Sequence, residues 1–339
     1  MVSWAVLSVR RKKDILHAVN RCTNVTADAG TAGGITAENH SGQTIGNCKN
    51  YGNVSSSDGY AAGIAAANEG TIRDCVVSGG SGTGGIKIHS LGEKEIGAVC
   101  AINSGTVSGS YPEGNVTLQG DASIFGGVTG RNTGTVAVIT LTSMPVIDAT
   151  KSKLTVGGAV GANEAIITQI VAKDLKFAKF SGYRYLGGIT GTNGGSGKTT
   201  AGVSDCVYSG TMTEKTGAAG NCYGGIAGIN YATLSGCKIT KITMEIKGVY
   251  TATSTSTAAQ KESLASHAGG ITGKNETSAT ITSCVIDNNP DSRIRADYGM
   301  LGGVTGFNKG TITMSGSSIT AAVMNLTEEQ KQAEKPWKH

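Results

Sequence analysis

A pattern close to Gly-Gly-Ile/Val-Thr/Ala-Gly/Ala-x-Asn recurs nine times along this chain, ending at Asn39, Asn68, Asn103, Asn132, Asn163, Asn193, Asn230, Asn275 and Asn308. Successive asparagines stand 29, 35, 29, 31, 30, 37, 45 and 33 residues apart. Self-similarity at a period of about 20–50 residues marks a solenoid, in which each repeat buries its apolar face only against its neighbours. Several copies run on into a second unit, as in Gly70-Thr71-Ile72-Arg73-Asp74-Cys75, Gly105-Thr106-Val107, Gly134-Thr135-Val136 and Gly310-Thr311-Ile312. The full unit is therefore GGITGxNxGTIxxC followed by a variable glycine-rich third segment.

Its slots alternate with a period of two, as in a strand. Four positions before the asparagine stand Ile35, Ile64, Val99, Val128, Ala159, Ile189, Ile226, Ile271 and Val304, and two before it every copy has Ala or Gly. The position directly before it holds Glu38, Ala67, Ile102, Arg131, Ala162, Thr192, Ile229, Lys274 and Phe307. Indifference to charge and size predicts a solvent-facing side chain there, with the aliphatic and small slots facing inward. A second inward slot follows at Ile45, Ile72, Val107, Val136, Ile167, Val203, Leu234, Ile281 and Ile312. Three residues beyond it come Cys48, Cys75, Ser110, Ile139, Ile170, Cys206, Cys237, Cys284 and Ser315. Val19 and Cys22 keep that spacing and are read as a worn tenth copy.

The predicted fold is all-β: a right-handed parallel β-helix of nine to ten coils with three short strands per coil. Coils about 4.8 Å apart give a rod on the order of 45–50 Å long. Residues 19–322 form the solenoid, 1–18 an N-terminal cap or leader remnant, and 323–339 a C-terminal cap or linker. Asparagine suits a turn because it tolerates left-handed backbone angles, and stacked amides can bond from coil to coil. The 52 glycines among 339 residues fit the same scheme as turn and close-packing positions. With only 4 prolines they exclude collagen and most disordered linkers. Aromatic residues make up 5% of the chain, too few for a bulky globular core.

The remaining features narrow function mostly by exclusion. Lys and Arg total 29 against 24 acids, and the one dense basic cluster, Arg10 to Lys13, has no interleaved aromatics, so no nucleic-acid partner is expected. No apolar run approaches the ~18 residues of a membrane span, so no membrane insertion is expected. Val2 to Val9 is a poor export signal because its charges follow it. The chain is thus either cytoplasmic or a piece of a longer multidomain protein whose signal lies elsewhere.

Six of the eight cysteines (Cys22, Cys48, Cys75, Cys206, Cys237, Cys284) occupy one repeat slot that also accepts Ser and Ile, which predicts free, buried thiols. The other two, Cys100 and Cys222, lie in or near the first strand. There is no CxxC and no HExxH, and the five histidines share no spacing, so no metal and no cofactor is expected. Gly191 to Thr199 imitates a phosphate loop, but Thr192 stands where its first glycine belongs, and a strand is expected to follow. Asp28, Asp58, Asp74, Asp121, Asp148, Asp174 and Asp205 share no slot, and Thr-x-Thr units such as Thr240 to Thr243 do not recur at one slot. A loop leaving the rod is expected at Thr251 to Ala259, and a smaller insertion at Val171 to Tyr185. Helices are expected to cover the ends, over Arg11 to Val19 and within Asn325 to His339.

The repeat resembles the GLUG motif of bacterial surface proteins, clearest in Gly126 to Val136, Gly224 to Cys237, Gly269 to Cys284 and Gly302 to Ile312, and the resemblance covers residues 19–320. It implies a secreted or cell-surface setting, as adhesins or as stalks beside catalytic domains. Two readings follow. One is a non-catalytic stalk or adhesin-like module binding a host or matrix glycan or protein. The other is a carbohydrate-active β-helix enzyme of lyase or glycosidase type, which requires carboxylates, or a carboxylate with Arg or Lys, to converge across adjacent coils. No catalytic or ligand-binding residue is singled out by the sequence.

Overall fold

The computed structural model describes residues 13–80, 85–92, 94–180, 182–195, 197, 199–248, 255–287, 289–314 and 322–325. Their strands pair in parallel with equivalents one coil away, giving a β-solenoid of about nine turns. One coil runs through Ala61–Ala62, Ala65–Asn68, Thr71–Arg73, Val76–Ser78 and Ile86–Ser90. We name the first three the glycine, asparagine and threonine strands. Glycine and asparagine strands each stack into nine-stranded sheets.

The expected three strands per coil are thus five segments. The Gly-Gly turn divides the first, and a left-handed kink divides the second. That kink was not anticipated. Two residues after the second inward slot, φ lies between +52° and +60° in nine successive coils: His17, Asn47, Asp74, Gly109, Val138, Gln169, Asp205, Gly236 and Ser283. Asp74 and Asp205 therefore do share a slot, contrary to expectation. The nine repeat asparagines end extended strands and none of them is left-handed, so their reason for being asparagine is the amide alone.

That amide forms an unbroken ladder. Asn39 Nδ2 donates to Asn68 Oδ1 at 2.7 Å, Asn68 to Asn103 at 2.7 Å, and Asn103 to Asn132 at 2.8 Å. The series continues through Asn163, Asn193, Asn230 and Asn275 to Asn308 at 2.8–2.9 Å. Asn68, Asn103, Asn132, Asn163 and Asn230 also donate to the backbone carbonyl two residues on, as Asn132 does to Gly134 at 3.2 Å. These side chains are buried, and the ladder satisfies them.

The cysteine slot has a comparable task. Where the slot residue of the next coil is Cys or Ser, it accepts the N–H after the kink: Ala18 N to Cys48 Sγ (3.3 Å), Cys48 N to Cys75 Sγ (3.4 Å), Cys75 N to Ser110 Oγ (3.0 Å). The same groups donate to the carbonyl two residues back, as Cys75 does to Arg73 at 3.2 Å and Ser110 to Ser108 at 2.9 Å. Where Ile139 and Ile170 occupy the slot, the strands run on as Thr135–Leu141 and Ile166–Phe180 and pair directly. All eight cysteines are free, and seven are buried.

The core is one continuous column of the inward slots, from Ile45 through Ile72, Val107 and Val136 to Ile281, all fully buried. It widens along the chain. From Thr135 onward long strands replace the short segments, among them Val207–Glu214 and Lys238–Ile246, and larger side chains (Tyr208, Met212, Met244) fill the wider coil. The insertion expected at Val171 to Tyr185 is therefore mostly strand inside the rod, with Ala172, Leu175 and Phe177 in the core.

The ends also differ from expectation. Ile15–Leu16 pairs with Ile45–Gly46, so the first coil is set by Ile15 and Ala18, not by Val19 and Cys22. Cys22 is accordingly exposed, and the helix expected up to Val19 is strand from Ile15 onward. Strand pairing thus begins ahead of residue 19. Ala322–Asn325 pairs with Arg293–Ala296, so it too belongs to the rod. The basic cluster from Arg10 to Lys12, and the tail after Asn325, lie outside the described residues.

Two outcomes follow from the ladder and the kink. Asn132→Ala leaves buried partners on both sides unsatisfied and is expected to cost about 2–4 kcal/mol in urea unfolding. The end substitution Asn308→Ala should cost clearly less, and equal losses would contradict the ladder. Val138 is β-branched and left-handed, with 60% of its surface exposed. Val138→Asn should raise stability by about 1 kcal/mol, read as a higher urea midpoint at unchanged slope.

Candidate functional site at the outer corner

The Gly-Gly turn folds each asparagine strand back onto the glycine strand of the preceding coil. A Cβ at Gly273 would lie 2.4 Å from Tyr223 N, and one at Gly306 would lie 2.5 Å from Ala268 N. This close approach explains why the slot two before the asparagine accepts only Gly and Ala. That slot does not face the main core as expected; Ala66 and Ala101 instead join Ala62 in a separate small cluster under Tyr60. The slot directly before the asparagine borders the corner and is not uniformly solvent-facing. Ile229 is 2% exposed and Ala162 6%.

Charged groups gather in this corner from neighbouring coils. Arg131 Nε donates to Glu95 at 2.8 Å while its Nη1 pairs with Glu164. Burial works against the Arg131 charge, and the two carboxylates more than offset it. Further along, Lys274 Nζ lies 2.9 Å from Glu262 and 2.6 Å from Glu276, and Lys309 lies 2.7 Å from Glu262. Glu262 pays some desolvation, yet Lys309 and Lys274 hold its carboxyl below the usual range. Both lysines also stand over the Phe307 ring, 5.8 and 5.5 Å from its centroid.

Beside the second cluster, Cys222 and His267 are register partners on adjacent glycine strands. Cys222 Sγ lies 3.8 Å from His267 Nδ1, and the ring centroid of His267 lies 5.4 Å from that of Phe307. His267 Nε2 is buried without a hydrogen-bond partner. Burial pushes the Cys222 thiol up to about 12, and burial with nearby Lys274 pulls His267 down to about 4. At neutral pH the pair is uncharged, an arrangement that shields a thiol instead of activating it. Both residues stand two positions before the first glycine of their repeat, and this shared offset is the signal that would have paired them.

A second lateral feature lies on the threonine strands. Thr44, Thr71, Thr106 and Thr135 stack in register, and after Ile166 and Gly202 the column resumes with Thr233, Thr280 and Thr311. Two residues on, after Gly46 and Arg73, the parallel column holds Ser108, Ala137, Thr168, Ser204, Ser235, Thr282 and Thr313. Ser204 Oγ donates to Thr168 at 2.9 Å and Thr280 Oγ1 to Thr233 at 3.2 Å. Hydroxyls spaced as Thr-x-Ser/Thr thus do recur at one slot, including the literal Thr-x-Thr units Thr280 to Thr282 and Thr311 to Thr313, contrary to expectation.

Other sequence features are absorbed by the coil. Gly194 and Gly197 of the phosphate-loop look-alike are left-handed turn residues, and the strand Gly202–Ser204 follows in place of the helix a phosphate loop needs. Among the described residues no three His, Cys, Asp or Glu side chains are placed to share a metal ion. No helix among them is long and apolar enough to cross a membrane. No family model, curated protein or solved structure matches this chain.

The buried histidine sets an acid dependence. With a folded value of about 4 against an ordinary 6.5, the unfolded chain binds the proton first. His267 thus leaves stability intact above pH ~6.5 and lowers it as pH falls toward ~4, by up to about 3 kcal/mol. His267→Gln is expected to flatten the urea-midpoint profile across that window. An unchanged profile would show that another group controls it.

Proposed function

We propose that this chain is a non-catalytic rod, a stalk or adhesin-like module of a bacterial cell-surface or secreted protein, that binds glycan along its threonine strands. The observation carrying this reading is the in-register hydroxyl column, Thr233, Thr280 and Thr311 with Ser235, Thr282 and Thr313 beside it. Hydroxyls repeating every coil offer donors and acceptors at about 4.8 Å intervals to a polymer that itself repeats. The continuous ladders favour a stiff spacer, since each coil is bonded to both neighbours along several strands. The GLUG-like repeat supports the surface setting.

One observation favours the enzyme reading: Glu95, Arg131 and Glu164 converge from three coils, and Glu262 of the insertion after Asn230 meets Lys274, which Glu276 on the same coil also contacts. These carboxylates are bound up with cations, and Glu262 is shifted away from the raised value a general acid needs. A glycan array followed by product analysis separates the two. Binding without release of soluble sugar, weakened several-fold by Thr233→Val with Thr280→Val, is the expected result. Sugar release that disappears in Glu95→Gln would replace the stalk with the enzyme.

A further inference from the structure

The interval from Asn230 to Asn275, at 45 positions the longest between successive repeat asparagines, carries the helix Ala258–Leu264 (α1). The segment returns across the glycine strand Cys222–Gly224: Gly220 N donates to Leu264 O at 3.2 Å, and Ser266 Oγ to Ala218 O at 2.9 Å. From α1, Glu262 spans to Lys274 and Lys309 on two successive coils. Beside this strap Cys222 is 3% exposed and His267 2%, whereas Thr155, Tyr185 and Met300 at the same slot are only half-buried. Other core thiols are engaged differently: Cys48, Cys75, Cys206 and Cys237 bond to backbone carbonyls of the core, and Cys100 donates to Ile102 O at 2.9 Å.

The charges around Cys222 are arranged so that the strap sets their balance. Lys274 and Arg184 favour its thiolate, while Glu276 and Glu262 oppose it. Lifting α1 removes Glu262 from that set and admits water, leaving Lys274 and Arg184 against Glu276 alone. A thiolate is the nucleophile in sulfur chemistry, and nearby cations with access to solvent bring it within reach.

We propose that Cys222 is a guarded modification site for soft electrophiles, small-molecule disulfides in particular, covered by the α1 strap and exposed when Glu262 lets go of Lys274 and Lys309. In the open form His267 Nδ1 accepts the thiol proton and Cys222 Sγ attacks one sulfur of the disulfide. A new S–S bond forms as the old one breaks, and the departing thiolate is protonated. One disulfide is exchanged for another, with no further oxidant.

The test treats the full chain with an aromatic disulfide and maps labelled cysteines by mass spectrometry. In the native protein exposed Cys22 should react fast and Cys222 slowly. Glu262→Gln should speed Cys222 by at least tenfold with Cys48 and Cys237 unchanged, and adding His267→Gln should slow it again several-fold at neutral pH. The proposal is overturned if native Cys222 reacts as fast as Cys22, or if it stays as slow as Cys100 once Glu262 is replaced. Should the variant label all core thiols together, native protein in molar salt, which weakens the partly exposed Lys309–Glu262 pair, decides by the same two criteria.

Discussion

Everything in this rod depends on one asparagine side chain donating to the same side chain in the next coil. An amide carries both a donor and an acceptor, so it can stack without limit in one direction and leave nothing unpaired inside. The chain from Asn39 to Asn308 does so across nine coils. Because each coil must bring its asparagine to the same height and angle, the rest of the coil inherits its register. Coils of unequal length are tolerated only where the extra residues can widen the coil or leave it after that point.

The second constraint is the left-handed kink and its inward N–H. A bend that turns the chain also breaks the sheet's own bonding, and the next coil repairs it with a thiol or hydroxyl. Cysteine and serine are interchangeable at Cys75 and Ser110 because each is small and can both accept and donate. Isoleucine enters only where the strand stays continuous. The slot is therefore a backbone-satisfaction device with a chemistry, and not merely a small buried space. The kink also reconciles its varied occupants, from Gly109 to Val138, since what they share is a backbone angle and not a side-chain type.

Much of this architecture could be read directly from residue spacing. Ile45, Ile72 and Val107 recur at one slot because equivalent positions become neighbours in a solenoid, and neighbours in a close-packed column must match in size. The asparagine ladder was legible for the same reason. Val19 and Cys22 misled because a three-residue spacing recurs by chance in a short segment, and only the pairing of Ile15 with Ile45 fixes the first coil. The kink slot escaped notice because Asn, Asp, Gly, Gln, Ser and Val have no common chemistry to mark it.

The sequence by itself determined the coil: its inward slots, its amide column, its free cysteines and its glycine turns, all of which are contacts between equivalent positions about 30 residues apart. Only the tertiary structure decided the outer corner. There, contacts join non-equivalent slots one coil out of step, as Glu95 meets Arg131 or Glu262 meets Lys309, and an insertion folds back over Cys222 and His267. Period alone cannot reveal such pairs, because the turn angle that brings two strands together sets them and not the repeat that defines each strand.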